Sequence, residues 1–399
     1  MRICRGSEEF FSPNIDGYLL MSEFQICTRC VMDTTDPEIT FDESGVCNHC
    51  RDFDSVTSKY WFPGENGKAK LAQIVDQVKK DGAGKDYDCV LGLSGGADSS
   101  YLALKVKELG LRPLVIHVDG GWNSELAVKN IESVVSFCNF DLHTHVMNWV
   151  DMKQLQLAYL RSGVSNQDVP QDHAFFANLY HYAIEHKIKY VLSGGNIATE
   201  AIFPKAWQHG AMDATNLKAI FDRFGKGQLQ EYRTISFFQY YFEFPILRGM
   251  KVLRLLNFMP YNKASAIEML QEKTGWRPYG YKHGESVFTR FYQNYYLVER
   301  FGYDKRKPHL STLIVTGQMS RKDALEELSK SSYDPSDIEE DIFYFRKKLS
   351  LSEEEFQRLM EIPARDALEF PSDIGKYLLM KKTQGFVTRL SGRRVANYS

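Results

Sequence analysis

The sequence predicts an α/β fold with a parallel β-sheet, a small four-cysteine module before it and a helical region after it. Short apolar strands alternate with amphipathic helices from residue 86 onward, two Cys-x2-Cys pairs lie near the start, and charged helical patterns dominate beyond Gly302. Such alternation is typical of right-handed β-α-β units, whose helices cover both faces of a parallel sheet. We predict five segments: an N-terminal extension (1–23), a cysteine knuckle (24–53), a linking helix (54–85), the α/β domain (86–300) and the helical region (301–399).

Composition narrows the function classes. The 399 residues carry a net charge of -2, which disfavours a large nucleic-acid footprint because such a surface needs an excess of Lys and Arg. The longest apolar runs, such as Val252–Met259, are too short to cross a bilayer. Residues Met1–Leu20 show no signal-peptide pattern, and we assign them no function. With an odd number of cysteines, the chain is predicted to reside in the reducing cytoplasm.

The knuckle is defined by Cys27, Cys30, Cys47 and Cys50, two Cys-x2-Cys pairs with sixteen residues between them. This spacing is typical of a tetrahedral thiolate site for Zn²⁺. Four thiolates saturate zinc and leave no position open to a substrate, so we predict a structural ion. Because a module this small has little core, metal binding would contribute much of its folding free energy.

The predicted α/β domain contains five strands. These are Cys89–Leu93, Leu114–Val118, Leu142–Met147, Tyr190–Leu192 and Val252–Phe258. Helices are predicted to begin near Asp98, Ser124, Asp151 and Asp172, and in the helical region after Ser320 and Ser352, each of which has an acid three residues later. The stretch 201–250 is rich in aromatic residues, notably at 237–242. It is either a lid or pocket wall or an aromatic core, and we favour the core because aromatic side chains dominate cores.

A Gly-rich loop, Ser94–Ser99, lies between the first strand and the first helix and lacks the lysine of a Walker A loop. Phosphate charge would be met by backbone amides, hydroxyls and the helix N-terminus. The groups concerned belong to Ser94, Gly95, Gly96, Ala97, Ser99 and Ser100. Asp98 is unexpected beside phosphates unless it binds Mg²⁺ or fixes the loop backbone. The alternative is an ordinary glycine-rich turn of an α/β protein.

This loop resembles the pyrophosphate loop of the N-type ATP pyrophosphatases, the group that contains NAD synthetase, GMP synthetase, argininosuccinate synthetase and several tRNA-modifying enzymes. The resemblance implies a Rossmann-like sheet of the adenine nucleotide alpha hydrolase type and cleavage of ATP between its α and β phosphates. It also implies nucleotide contacts for Val118 and Asp119, and for Gly194 and Asn196 within the string 193–200. Gly195 replaces the family's usual histidine. Glu200 stands where a metal-binding acid is expected, although taken alone it could be a solvated surface acid.

From about residue 24 to about residue 385, the chain is similar to the N-acetyl sugar amidotransferases of bacterial surface-polysaccharide and nonulosonic-acid biosynthesis. The similar segments are 27–33, 47–50, 94–99, 170–173, 193–196, 282–286 and 304–311. The resemblance implies that ATP and ammonia convert the N-acetyl group of a nucleotide sugar into an acetamidino group. It further implies two partners, a glutaminase subunit and a synthase-like subunit that channels ammonia. The knuckle could then also dock a partner or line an ammonia path.

The catalytic candidates are Asp98, Ser94, Glu200, Lys282 and His173. His173 could equally be a histidine that caps a helix. We favour a catalytic role because it belongs to the segment 170–173, which is similar to the amidotransferase family. Lys282, His283 and Glu285 lie in a polar loop for which substrate contact and plain solvation stay open. The basic run 305–307 with His309 could bind a sugar-nucleotide diphosphate, but we favour a solvated face. Lys263 resembles a family lysine near the triphosphate.

Two other functions stay open at this point. A tRNA-modifying sulfurtransferase can pair thiolate knuckles with the same loop, but it generally needs spare cysteines, and Cys89 and Cys138 lie in a strand and a helix. A protein-binding knuckle on a decayed nucleotide domain is disfavoured because Ser94, Asp98 and Ser99 are intact.

Overall fold

The computed structural model describes residues 24–207, 209–280 and 284–391. A five-stranded parallel sheet forms its centre, with the strand order β3-β2-β1-β4-β5. The strands are β1 (Cys89–Gly92), β2 (Pro113–Asp119), β3 (Asp141–Val146), β4 (Tyr190–Leu192) and β5 (Lys251–Leu253). This order is that of a Rossmann-like sheet. The predicted α/β, Rossmann-like fold class is therefore confirmed.

Helices surround this sheet and fill the C-terminal region. They are α1 (Asn48–Ser55), α2 (Glu65–Asp81), α3 (Ala97–Glu108), α4 (Glu125–Cys138), α5 (Trp149–Ser162), α6 (Val169–Glu185), α7 (Ile197–Glu200), α8 (Ala214–Phe224), α9 (Lys263–Thr274), α10 (Val287–Phe291), α11 (Leu297–Phe301), α12 (Arg306–Val315), α13 (Arg321–Leu328), α14 (Pro335–Leu349), α15 (Glu353–Met360) and α16 (Ile374–Ser391). Short 3-10 turns cover Thr57–Tyr60, Lys205–Trp207, Leu255–Phe258 and Ala367–Glu369, and π-helical turns cover Gln239–Leu247 and Tyr292–Tyr296. None of the helices in the described part combines the length and apolarity that a membrane span requires.

Four of the five predicted strands are present with nearly the expected bounds. The fifth is shorter than predicted, because Lys251–Leu253 pairs with β4 and the chain then turns into a 3-10 helix at Leu255–Phe258. The predicted helix starts at Ser124, Ser320 and Ser352 are also present, each with the serine hydroxyl accepting a bond from a backbone N–H of the first turn.

Side chains of the central strands divide between two cores, one on each face of the sheet. On β1, Leu91 packs with α3, α4 and α9, whereas Val90 packs with α5, α6 and α8. Val115 and Ile116 on β2 divide in the same way. Alternation with a period of two residues is the geometry of a strand buried on both faces.

The aromatic-rich stretch 201–250 forms core only in part. Trp207, Phe221, Tyr232 and Phe244 are buried as predicted, whereas the run 237–242 is not. Phe238 is 57% exposed, and its neighbours in the run are half-buried. The segment adopts a π-helical turn in which Phe244 and Pro245 turn inward while Tyr240 lines the cavity described below. The wider turn therefore sends most of these rings to the surface and to a pocket wall.

Candidate active site

A cavity of about 1600 Å³ lies at the carboxyl ends of the central strands. Its walls include residues that directly follow β1 (94, 96–99) and β4 (193–197). In the observed strand order, β2 and β3 lie on one side of β1, and β4 and β5 lie on the other. Ligands of open α/β sheets bind at such a topological switch point. The volume exceeds the roughly 300–1,000 Å³ that is typical of a pocket for one small ligand. The cavity can therefore hold two substrates together.

The backbone of the Gly-rich loop is fixed by two aromatic residues that also line the cavity. Gly95 has a φ of +88°, a left-handed conformation that favours glycine. Its carbonyl oxygen accepts hydrogen bonds from Trp276 Nε1 at 2.9 Å and from Tyr279 Oη at 2.8 Å. The N–H of Gly96 donates to Ser94 Oγ at 3.3 Å. The loop is thus held rigid by two aromatic residues that the sequence analysis did not identify.

Most of the residues predicted to bind phosphate line the cavity. Ser94, Gly96, Asp98 and Ser99 line it. The Oγ atoms of Ser94 and Ser99 lie 3.1 Å apart, and Ser99 Oγ also donates to the Gly96 carbonyl at 3.2 Å. Gly95 and Ser100 do not line the cavity, and Ser100 Oγ is buried without a hydrogen-bond partner in the described part of the chain.

Two predicted carboxylates share one environment. The Tyr261 hydroxyl donates a hydrogen bond to Asp98 Oδ1. Burial, and then the charges of Asp98 and Glu200, raise the pKa of Tyr261. Both acids line the cavity beside the loop. Two carboxylates next to a phosphate loop form the oxygen ligand set that Mg²⁺ prefers, so Asp98 and Glu200 are the residues here that could hold that ion.

The loop after β4 packs directly against the start of α3. A Cβ atom placed on Gly194 would lie 2.9 Å from both the Cα and the N of Ser99. Asn196 caps α7, since its Oδ1 accepts from the Thr199 N–H at 3.0 Å and its Nδ2 donates to the Gly194 carbonyl. Asn196 therefore fixes this loop with both ends of its amide, and it also lines the cavity.

This contact predicts a steric effect of Gly194→Ala. The new methyl group must push the Ser99 backbone away, which we expect to lower stability by about 1–3 kcal/mol and to weaken nucleotide binding. Gly195→Ala is the matched control for stability, because its Cβ would meet only ordinary contacts, the nearest at 3.4 Å. Melting temperatures of the two variants test this prediction, and equal values would contradict it.

Of the two residues predicted to contact adenosine, one lines the cavity and the other does not. Val118 lines the cavity, whereas Asp119 is not part of its wall and accepts a hydrogen bond from the Gly121 N–H at 2.7 Å. His117, not identified from the sequence, also lines the cavity. Its Nδ1 lies 2.9 Å from the Leu93 carbonyl oxygen and its Nε2 lies 2.8 Å from Asn123 Nδ2. Burial lowers the pKa of His117.

His173 lies in the core and not in the cavity wall. Its Nδ1 is 2.8 Å from the Ala211 carbonyl oxygen, and its Nε2 accepts from the Ile235 N–H at 3.0 Å. Burial lowers the pKa of His173 to about 4. With both ring nitrogens bonded to the backbone, this position supports the structural alternative and corrects the preference for a catalytic role. The predicted Lys282, together with His283, lies outside the described residues.

The basic side chains of residues 305–307 and His309 point in two directions, as their spacing on a helix requires. Lys305 and His309, four residues apart, line the cavity. Arg306 instead pairs with Asp304 at 2.7 Å, and Lys307 pairs with Asp33 of the knuckle at 2.6 Å. The favoured prediction of a solvated face is therefore wrong, because two of these side chains face the cavity and two form internal ion pairs.

The knuckle cysteines converge as predicted. All four side chains are fully buried, and their Sγ atoms lie within 4.8 Å of one another, with 4.0 Å between Cys27 and Cys50 and 3.6 Å between Cys30 and Cys47. Thiolates about 2.3 Å from one tetrahedral ion are about 3.8 Å apart. The N–H groups of Cys30 and Cys47 point at Cys27 Sγ at 3.4 and 3.3 Å. The four cysteines therefore fit a single metal ion.

The knuckle packs against the C-terminal helices. The Arg321 guanidinium donates to the carbonyl oxygens of Cys27 and Cys30, with the shortest distances both 2.9 Å. The Val31 N–H donates to Ser311 Oγ on α12 at 3.2 Å. Because α12 also carries His309 in the cavity wall, the knuckle and the cavity share one supporting helix.

Comparison with known families finds a match in the C-terminal part of the chain. Residues 285–384 match the family described as LPS biosynthesis protein WbpG-like, C-terminal domain. Seven residues of this segment line the cavity, namely Glu285, Ser286, Thr289, Gln293, Lys305, Pro308 and His309. No curated protein sequence matches the chain.

Several solved structures are similar to the chain at low identity. NH3-dependent NAD synthetase from Campylobacter jejuni is 13% identical over 52% of this chain and 93% of its own, with a TM-score of 0.27. NMN synthetase from Francisella tularensis is 16% identical over 52% of this chain and 92% of its own, with a TM-score of 0.27. The U34-tRNA thiolase NcsA from Methanococcus maripaludis, with its 4Fe–4S cluster, is 13% identical over 82% of this chain and 89% of its own, with a TM-score of 0.32. At these scores, the fold assignment rests on the strand order of the sheet itself.

Proposed function

We propose that the chain is an ATP-dependent amidotransferase that converts the N-acetyl group of a nucleotide sugar into an acetamidino group. One observation carries the proposal. The segment matching a lipopolysaccharide-biosynthesis family supplies part of the wall of the same cavity that the Gly-rich loop lines. A phosphate loop and a carbohydrate-pathway segment therefore face one space, which has room for two substrates.

The proposed reaction has two steps. The amide oxygen of the acceptor attacks the α-phosphate of ATP, the bond to the β-phosphate breaks, and pyrophosphate leaves while the amide gives up its proton. Ammonia then attacks the adenylated carbon and AMP departs with the former amide oxygen. Backbone amides of the loop and the hydroxyls of Ser94 and Ser99 would bind the phosphates. Asp98 and Glu200 would hold Mg²⁺, which supplies charge stabilisation for the leaving pyrophosphate.

The metal and partner assignments belong to the same proposal. We assign Zn²⁺ to the four-thiolate site because closed Cys4 sites are typical of structural zinc. We also propose that a partner glutaminase and a synthase-like channelling subunit deliver the ammonia, in the cytoplasm. The six cysteines in the described residues are all buried, so none of them presents a glutaminase nucleophile.

The same cysteines weigh against a tRNA sulfurtransferase. Burial raises the pKa of the Cys138 thiol to about 11 and that of Cys89 further. Neither is part of the described cavity wall. A reactive sulfur carrier needs a thiolate that is accessible to its substrate, and the cavity wall, as far as it is described, contains no cysteine.

The reaction is tested with the purified chain, ATP, Mg²⁺, ammonium chloride and a panel of N-acetylated nucleotide sugars. We expect AMP together with a sugar product in which NH has replaced the amide oxygen, as measured by mass spectrometry. Glutamine in place of ammonium should give no product without a partner. Formation of ADP, or of AMP only with tRNA and a sulfur donor, would contradict the proposal.

A further inference from the structure

Two carboxylates in the cavity have no role in the steps described so far. Asp168 and Asp172 both line the cavity and lie four residues apart at the start of α6. Asp168 precedes the helix but already has helical backbone angles, with φ of -78° and ψ of -13°. Residues four apart on a helix lie one above the other on the same face. The two acids therefore form a pair that faces the cavity.

The groups around this pair include neutral donors and one cation. Asp168 accepts hydrogen bonds from Thr289 Oγ1 at 3.2 Å and from Gln293 Nε2 at 3.3 Å. Burial, and then the charge of Asp168, raise the pKa of Asp172 to about 8, while Lys305 opposes this shift. Tyr232 and Tyr292 also interact with the charge of Asp172, and burial raises the pKa of both phenols so that they stay neutral.

The charge balance favours a monovalent ligand. Because the pKa of Asp172 is raised, the empty pair is partly protonated. When a cation binds and Asp172 ionises, the two carboxylates and Lys305 carry a combined charge of -1, which matches one ammonium ion better than a divalent metal. An ammonium ion offers only hydrogen-bond donors, and carboxylates are acceptors. The pair is thus complementary to ammonium in charge and in hydrogen bonding.

The residue between these acids also points to a bound ligand. Gln171 is 3% exposed and lines the same cavity, and its Nε2 has no hydrogen-bond partner within the described ranges. A buried donor without a partner is energetically unfavourable. An oxygen of the acceptor substrate, held next to the nucleophile, would supply the missing acceptor.

Building on the proposed function, we propose that Asp168 and Asp172 bind the nitrogen nucleophile as ammonium and that Asp172 removes its proton. The proton moves from ammonium to the Asp172 carboxylate, which leaves neutral ammonia with a lone pair. That lone pair forms the C–N bond to the adenylated carbon, and the C–O bond breaks with its electrons going to AMP. The three remaining hydrogens end on the two nitrogens of the amidinium product, so atoms and charge balance.

If the assignment is right, Asp172→Asn should impair the attack by ammonia but not the adenylation of the acceptor. Exchange of labelled pyrophosphate into ATP, which needs ATP and the acceptor but no ammonia, should stay within about threefold of wild type. Ammonium-dependent product formation should fall about 100- to 10,000-fold, the usual contribution of a general base. Hydroxylamine, a nucleophile that is neutral at pH 7, should partly restore turnover. Asp222→Asn, at an exposed position on α8, is the matched control.

A second measurement does not depend on turnover. Infrared difference spectra of the wild-type protein at pH 7 should show the carbonyl band of a protonated carboxyl group that weakens as the pH is raised, because burial and the charge of Asp168 raise the pKa of Asp172. Ammonium chloride should weaken this band, potassium chloride should not, and Asp172→Asn should lack it.

These outcomes separate the two proposals. A wild-type chain that shows the ammonium-sensitive band but makes no AMP refutes the amidotransferase while the ammonium site stands. Equal loss of exchange and product formation in Asp172→Asn overturns the ammonium site and leaves the amidotransferase, as does unchanged activity of the variant. A carboxyl band whose intensity does not change when ammonium chloride is added would also overturn the ammonium site.

Discussion

Replacement of Asp98 by Asn is expected to lower AMP formation by about 100- to 1,000-fold, the typical effect of removing one preorganised electrostatic group. The amide cannot supply the charge that a divalent ion beside the phosphates requires. The shape of the side chain and its bond from Tyr261 can be kept, so the fold should be unaffected. AMP formation under saturating Mg²⁺, together with the melting temperature, measures both effects.

Two variants sharpen this test. Asp76→Asn removes an exposed carboxylate on α2 and should leave activity unchanged. Tyr261→Phe keeps the carboxylate but removes the hydroxyl that positions it, so a smaller loss is expected, with a raised Mg²⁺ requirement. Wild-type rates in Asp98→Asn would remove this residue from the site and with it the main support for the nucleotide loop.

Local patterns in the sequence predicted the elements that position this site. The apolar strand Cys89–Gly92, the glycines and the serines of the loop lie within a dozen consecutive residues, so their periodicity and spacing are visible directly. The same holds for the knuckle, where two short spacings specify four ligands. Chemistry carried by neighbouring residues could therefore be predicted.

Contacts between distant residues could not be predicted in this way. Tyr261 lies 163 residues from Asp98, and Trp276 lies 181 residues from Gly95. Nothing in the local sequence of either aromatic residue indicates that it fixes the loop. The pairing of Asp168 with Thr289, 121 residues apart, is equally invisible without the fold. His173 shows the reverse error, since a family string cannot tell whether a ring nitrogen faces a cavity or a backbone carbonyl.

Removal of the knuckle metal is expected to have the second large effect. Cys47→Ser should abolish stoichiometric metal binding and lower the melting temperature by about 4–5 °C, because a loss of about 3–4 kcal/mol shifts a chain of this size by about that much. The described core of the knuckle consists chiefly of the thiolates with Ile202, Trp207 and Met32. Without the ion, four sulfur atoms would have to pack as neutral thiols around an empty centre.

The consequence should extend to the cavity through α12. The Val31 N–H bonds to Ser311, and the Lys307 ammonium lies 2.6 Å from Asp33, while Lys305 and His309 at the start of that helix line the cavity. Loosening of the knuckle should therefore raise the KM for the sugar acceptor more than the KM for ATP. A uniform fall in kcat with both KM values unchanged would show instead that the knuckle only keeps the chain folded.

Metal analysis and kinetics of Cys47→Ser, compared with Cys138→Ser, provide the measurement. Cys138 is also a buried cysteine, but it lies on α4 away from the knuckle, so it reports what a cysteine-to-serine exchange does without metal loss. Zinc content should be one equivalent in the wild type and in Cys138→Ser, and near zero in Cys47→Ser. If Cys47→Ser keeps its metal and its acceptor KM, the four thiolates are not a closed site, and α12 does not depend on them.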